Sequence, residues 1–238
     1  IECAVNPVLG RETYRGDDKL IKNGDGRTVA VIGAGPSGLQ AAITLAKRGF
    51  KGVVFEKSDR IGGNMNLAAV PPCKGLIGEF IETLGIEAAD LGIDIRLNTP
   101  GTVEAAKAVG AVGVVIAAGG IDIIPQVDGI DKAYTYRQVL KNEVELKGKK
   151  IAVIGGGNVA MDVVRTAVRL GAEEAYIVYR RSEDEMPADK EEVAEAMAEG
   201  VKFCYLNAPI EITGTAAGKV NGLKVEIMEL GEPDASGR

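Results

Sequence analysis

Two glycine turns constrain this chain more than anything else in it. "VAVIGAGPSG" at 29–38 and "VIGGGNVA" at 153–160 each carry a short β-branched run straight into an apolar helix. A strand that must become a helix within a few residues, with the helix N-terminus left free to meet a pyrophosphate, needs small residues at fixed places. In the first turn Gly33 reverses the chain, Gly35 lets a phosphate approach the backbone, and Gly38 lets helix and strand pack closely. Pro36 and Ser37 fill the first helical turn between them. In the second, Gly155, Gly157 and Ala160 take those places, with Asn158 and Val159 between. One such turn is weak evidence, but two between buried strands and amphipathic helices point to nucleotide binding.

The pattern around the turns repeats. "TVAVIG" is a buried strand, "GPSGLQAAITLAKRG" a helix with Leu39, Ala42, Ile43 and Ala46 on one face, and "KGVVFEK" the next strand. A helix over 74–91, a strand in "IDIRLNT" and a buried strand in "VGVVIAAGG" at 112–120 follow. The second unit repeats the order with strand 150–154, helix 158–170 and strand 175–179. Helix 188–199 and strands near 201–206 and 220–230 continue it. The expected fold is α/β: two Rossmann-like dinucleotide-binding units, each a parallel sheet flanked by helices. The expected domains are an extended leading segment at 1–26, a first nucleotide unit at 27–125 and a second at 126–238.

The two units differ where the adenosine ribose would lie. Glu56 follows Gly33 by 23 residues and ends a strand, where a carboxylate accepts ribose hydroxyl protons as FAD or NAD requires. Lys57 adjoins it. Aligning "VVFEKS" with "IVYRRS" sets Arg180 on the Glu56 position, with Arg181 beside it. An acid would repel a 2′-phosphate, whereas a guanidinium binds it bidentately, so this unit favours NADPH. The competing reading is a solvated basic pair opposite Glu183, Asp184 and Glu185. Gly62 and Gly63 in "DRIGGNM" would let the backbone pass against a flat or phosphate-bearing ligand, and Ala118 and Gly119 in "AAGG" leave room for a cofactor.

Composition removes other chemistries. The 238 residues contain no histidine, which eliminates Ser-His-Asp, Cys-His and His-based metal catalysis. Cys3, Cys73 and Cys204 form no C-x-x-C pair, which points to a reducing, cytoplasmic setting rather than a disulfide framework. A net charge of −6 argues against nucleic acid or an anionic membrane as partner. No apolar run approaches the ~18–20 residues that span a bilayer.

Together these residues resemble the two-dinucleotide-binding-domain flavoproteins, in which an NAD(P)H domain interrupts an FAD domain. "VAVIGAGPSG…FEKSDRIGG" resembles their FAD stretch. "VVIAAGG" resembles their A-T-G strand, with Ala118 for the usual Thr. "VIGGGNVAMDVVRTAVRLGA…VYRRSEDEMPA" is similar to the NADPH domain of the glutamate synthase small subunit group. "IECAVNPVLGRE" and "EKSDRIGGNMNLAAVPP" resemble the C-terminal half of the iron–sulfur flavoenzymes related to old yellow enzyme, which include dienoyl-CoA reductase, enoate reductases and trimethylamine dehydrogenase. That resemblance implies FAD in the first unit, NADPH in the second, and Cys3 as the last ligand of a four-iron (4Fe-4S) cluster. It places the other ligands, an FMN and the small-molecule substrate in a barrel domain upstream of Ile1. It implies an incomplete FAD domain, because the family's closing Gly-Asp segment has no counterpart after Leu230. Cys73 and Cys204 are expected to be inert packing residues. A glutamate synthase-type small subunit handing electrons to a separate partner, or a nucleotide-sensing module without catalysis, would carry the same two turns.

Overall fold

The computed structural model describes residue 3 and residues 5–231 and divides into two compact units. The first comprises Ile1–Ala69 and Cys73–Ile121, the second Val70–Pro72 and Asp122–Arg238. In the first, a four-residue helix α1 (Glu12–Arg15) and a 3-10 turn (Asp17–Lys19) precede strand β1 (Thr28–Ile32), helix α2 (Pro36–Lys47) and strand β2 (Lys51–Phe55). The segment expected to be extended is therefore partly helical. Its turn is held down where Asp17 meets Lys47 of α2 at 2.7 Å. Helices α3 (Met65–Ala68) and α4 (Leu76–Asp90), strand β3 (Asp94–Arg96), helix α5 (Val103–Ala108) and strand β4 (Gly113–Ile116) complete the unit.

The sheet order is β3-β2-β1-β4, parallel throughout, with Val31 level with both Val54 and Val115. Val31, Val54, Leu39, Ile43, Ile81 and Leu84 form one core between the sheet and α2 and α4. Ala30, Val53, Phe55 and Ala106 form a second on the other face. Central strands covered on both faces explain why β1 and β2 read as continuous apolar runs. Strand β4 corrects the expectation of a fully buried strand. It lies at the sheet edge, shorter than 112–120, and exposes Val114 by 51% and Ile116 by 80%. Cys73 is also exposed, so it is not a packing residue; its φ of 64° lies in the left-handed region that glycine favours.

The second unit begins with a 3-10 turn (Ile130–Lys132) and helix α6 (Tyr136–Leu140). Thr135 and Gln138 close a capping box on α6, and Arg137 and Tyr136 of this helix both donate to Asp122. Strand β5 (Lys150–Ile154), helix α7 (Asn158–Arg169), strand β6 (Glu174–Val178), helix α8 (Lys190–Ala198) and strand β7 (Lys202–Cys204) follow. The parallel order β5-β6-β7 carries a core of Met161, Val164, Ile177, Val193 and Ala196.

Strand β9 (Val220–Ile227) does not continue that sheet as its sequence suggests. It pairs antiparallel with β8 (Asn207–Gly214), a strand the sequence did not signal. Pro209 lacks an N–H and argues against a strand; the structure accommodates it with a register shift between Pro209 and Glu211. Among the described residues no helix is long and apolar enough to cross a membrane.

Candidate functional site

In the first unit every predicted contact except Lys57 and Cys3 collects at the C-terminal ends of β1, β2 and β4, where open α/β sheets bind ligands. Gly33 leaves β1 with φ +103°, and its N–H donates to the Phe55 carbonyl at 2.8 Å. A Cβ on Gly33 would stand 2.4 Å from the Ala117 carbonyl oxygen and 3.4 Å from the Ala118 Cα. The small residues ending β4 thus lie directly against the turn. A Cβ on Gly38 would sit 1.9 Å from the Gly33 oxygen, so the helix can approach the strand only without a side chain there.

Gly35 is different. It caps α2 with φ −71° and ψ 177°, backbone that any residue adopts, and an added Cβ would meet nothing within 4 Å among the described residues. The fold does not require glycine at this place; a ligand drawn close to the backbone would. Pro36 and Ser37 open α2, whose first N–H groups have no partner inside the helix. Gly62 donates to the Ala34 carbonyl at 2.8 Å. Gly63, at φ +54°, lies so near that its Cβ would be 3.4 Å from the Gly35 Cα. Ala118 and Gly119 are exposed, Gly119 with φ +75°.

Glu56 is buried just past the end of β2. One carboxylate oxygen accepts from the Ala34 N–H at 2.8 Å, and the other from the Ser58 N–H at 2.9 Å and hydroxyl at 2.7 Å. Burial pushes its carboxyl up, but the Ala34 and Ser58 amides, the Ser58 hydroxyl and the charge of Lys57 outweigh that and hold it below the usual range. Glu56 is therefore an anion at neutral pH. A carboxylate has about four acceptor positions, so three bonds leave about one for a ribose hydroxyl. Lys57 itself is exposed. Ala34, which helps orient the acid, carried no signal in the sequence because its bond spans 22 residues, whereas Ser58, two residues away, was a local partner that went unrecognised.

The second unit repeats the arrangement with other chemistry. Gly155, at φ +140°, donates to the Val178 carbonyl at 3.1 Å, and a Cβ on it would meet the Ala160 Cβ at an ordinary 3.6 Å. Ala160 therefore fits at the place that Gly38 holds in the first unit. Gly157 caps α7 with φ −96°, and again an added Cβ would meet nothing within 4 Å among the described residues. The overlooked glycine is Gly156, whose Cβ would fall 2.6 Å from the Tyr179 ring. Asn158 accepts from the Asp189 N–H at 2.8 Å, and the Gly156 carbonyl from the Ala188 N–H at 3.1 Å, so the segment before α8 lies against the turn. Val159 is exposed at the start of α7.

The backbone corrects the alignment of the two ribose positions. Gly33 donates to Phe55 and Gly155 to Val178, while the Glu56 N–H donates to the Arg96 carbonyl of β3 and the Tyr179 N–H to the Cys204 carbonyl of β7. The counterpart of Glu56 is thus Tyr179, and Arg180 stands at the position of Lys57. The connection between turn and strand end is one residue longer in the second unit, whereas the sequence alignment made it two. Tyr179 leaves no charge at the ribose position: its ring packs on Gly156 and its hydroxyl donates to the Glu185 carbonyl at 2.8 Å. Arg180 is exposed and Arg181 half-buried, and among the described residues neither guanidinium takes part in a hydrogen bond or ion pair. Of the acids expected opposite them, Glu185 accepts from Ser182 and its carboxylate also feels the Arg181 charge.

Cys3 is exposed and free, as is Cys73, and Cys204 is half-buried and free. Ile1, Glu2 and Ala4 around Cys3 lie outside the described residues. No group of three His, Cys, Asp or Glu side chains that could hold a metal occurs among the described residues. The described residues of this chain therefore do not by themselves supply the ligands of a four-iron cluster.

Residues 27–233 match the profile of the pyridine nucleotide-disulphide oxidoreductases. The glutamate synthase (NADPH) small chain of Escherichia coli K12 is 34% identical over 259 residues, covering 100% of this chain and 54% of that protein. The beta subunit of NADP(+)-dependent formate dehydrogenase from Moorella thermoacetica is 40% identical over 232 residues, 90% of this chain and 32% of its own length. Among solved structures, 2-naphthoyl-CoA reductase with 2-naphthoyl-CoA superposes with a TM-score of 0.80 at 28% identity, over 94% of this chain and 35% of that one. The chain spans about half or less of these relatives.

Proposed function

The chain belongs to the pyridine nucleotide-disulphide oxidoreductase family, and we propose that its first unit binds FAD, its second binds NADPH, and the pair passes hydride from one to the other. The observation that carries this is the exchange at the strand ends: a buried, ionised Glu56 in one unit, and in the other Tyr179 followed by two guanidiniums that make no hydrogen bond among the described residues. Glu56 would accept from the flavin's adenosine ribose, while the α2 N-terminus and Gly35 would receive its pyrophosphate. Gly157 and α7 would receive the second pyrophosphate, and Arg180 and Arg181 the 2′-phosphate. When bound, nicotinamide and flavin supply the hydride chemistry themselves, so the protein's task is to position and desolvate them. The lack of histidine is then no handicap. The family name mentions a disulphide, but this chain has no C-x-x-C pair through which electrons could leave.

The relatives named above as NADPH- and NADP(+)-dependent support the cofactor choice. The finer reading places this chain after a barrel domain carrying FMN and the substrate pocket, in an enzyme related to old yellow enzyme. It rests on the Cys3-containing stretch and has no support from the metal geometry of the chain itself. The same reading gives the protein a cytoplasmic setting, which suits three free cysteines, and no nucleic-acid or membrane partner. Titrating NADPH and NADH into the wild type and the Arg180→Ala/Arg181→Ala variant tests the central claim. NADPH should lose about 1–4 kcal/mol, the range for charged hydrogen bonds, and NADH almost nothing. Equal losses for both cofactors would refute it.

A further inference from the structure

The turn that follows the two arginines holds an anion of its own. One carboxylate oxygen of Glu185 accepts from the Ser182 backbone N–H at 3.1 Å and from the Ser182 hydroxyl. The turn is fixed at both ends. The Leu206 N–H donates to the Arg181 carbonyl at 3.0 Å, and the Tyr179 hydroxyl to the Glu185 carbonyl at 2.8 Å. The Ser182 hydroxyl first, then the Ser182 and Glu185 amides and the nearby Arg181 charge, hold the Glu185 carboxyl below its usual range against the opposing effect of burial. An ionised oxygen group thus rests on an amide and a hydroxyl near the Arg181 charge, and neither Arg180 nor Arg181 makes a side-chain hydrogen bond among the described residues. Amide, hydroxyl and guanidinium are the donors that the three oxygens of a phosphate monoester take.

We propose that Glu185 is a built-in competitor for the 2′-phosphate: its carboxylate occupies the Ser182 amide and hydroxyl, and a 2′-phosphorylated nucleotide binds by displacing it. The inference rests on the NADPH reading of this unit and adds Ser182 and Glu185 to Arg180 and Arg181 as residues that set specificity. Displacement has two consequences. The phosphate gains Ser182 as a ligand, and the released carboxylate moves toward solvent, which its exposure permits. Affinity for the phosphorylated ribose is thereby kept below what the arginines and Ser182 alone would give, without affecting a nucleotide that lacks the phosphate.

The rival account is a local lock. Ser-x-x-Glu is a turn-closing pattern, and a carboxylate on the Ser182 N–H could do no more than hold the loop. The two differ in sign. A lock, once weakened, loosens the loop for every nucleotide; a competitor, once discharged, helps only the phosphorylated one.

The experiment is calorimetric titration of the whole chain with adenosine 2′,5′-bisphosphate and with 5′-AMP. Glu185→Gln keeps a carbonyl for the Ser182 N–H but removes the charge. It should tighten the bisphosphate by roughly three- to tenfold and leave 5′-AMP unchanged. Ser182→Ala should weaken the bisphosphate by about tenfold, again without effect on 5′-AMP, and Ser182→Thr should retain wild-type binding. No change or a loss for the bisphosphate in Glu185→Gln, or equal losses for both probes in Ser182→Ala, would make Glu185 a lock and overturn the proposal. Equal affinity of the wild type for the two probes would overturn the NADPH reading beneath it, and this inference with it.

Discussion

Replacing Gly35 by alanine adds one methyl group at a point where nothing lies within 4 Å among the described residues, on backbone at φ −71° and ψ 177° that alanine adopts freely. Two small effects on folding oppose each other. Alanine caps a helix N-terminus less well than glycine, by roughly 0.5–1 kcal/mol, but it also removes about 0.4–1 kcal/mol of freedom from the unfolded chain. The ligand-free protein should therefore keep its stability within about 0.5 kcal/mol. Gly38→Ala is the contrast. Its methyl would lie 1.9 Å from the Gly33 carbonyl oxygen, a backbone atom that cannot swing aside, so it should cost about 1–3 kcal/mol or more. Binding should show the opposite order of cause: Gly35→Ala should weaken FAD at least tenfold although it leaves the fold alone, because the methyl intrudes where a pyrophosphate would lie. Gly157→Ala should do the same to NADPH and spare FAD. The chain has no tryptophan, so urea unfolding is best followed by circular dichroism, with cofactor titration alongside. If Gly35→Ala costs as much stability as Gly38→Ala, or binds FAD as the wild type does, the glycine serves the fold and not a ligand.

Glu56→Gln should cost about 1–3 kcal/mol of stability, since an amide nitrogen must then face the Ala34 N–H or the Ser58 donors in a buried place; an unchanged urea midpoint would contradict this. Arg165, with its side chain 5% exposed, joins α7 to α8 through Glu199 at 2.8 Å and Glu195 at 2.6 Å, and Arg165→Leu should destabilise the second unit by about 3–5 kcal/mol, read by thermal unfolding. Arg169 first, then Arg165, hold the Glu199 carboxyl down from 4.5 to about 2 against the opposing effect of burial. A depressed carboxyl contributes stability that is complete above its unfolded pKa and is lost as pH falls through the folded one. Glu199→Gln should therefore flatten the decline in stability between pH 4.5 and 2 by about 1–3 kcal/mol, and an unaltered acid limb would exclude a role for this acid. The chain reconstituted with iron and sulfide should retain no stoichiometric cluster, because Cys3 offers one thiolate; four irons per chain by elemental analysis would show a ligand set this structure lacks.

Both strand–turn–helix units were legible in the sequence because their causes are local. β-Branched runs, a 3.6-residue apolar period and glycine at a left-handed turn all act within a dozen neighbouring residues, so β1 to α2 and β5 to α7 fell where their patterns put them. The Thr135-x-x-Gln138 signature that starts α6 was equally local and could have been recognised. Strand β8 was not legible. A run containing Pro209 becomes a strand only because β9 is there to pair with it and a register shift removes the conflict.

The sites divide the same way. Sequence alone singled out Gly33, Gly35, Gly38, Gly155, Gly157, Glu56 and the two arginines as candidates, since residue type and spacing carry that chemistry, and it overlooked Gly156. Tertiary structure decided what those residues have left to give. It tied both oxygens of Glu56 to Ala34 and Ser58, put Tyr179 rather than Arg180 at the matching strand end, left two guanidiniums without a hydrogen bond among the described residues and seated Glu185 on Ser182 beside them. Free valence and strand register depend on which atoms arrive from distant parts of the chain, and packing alone brings those atoms together.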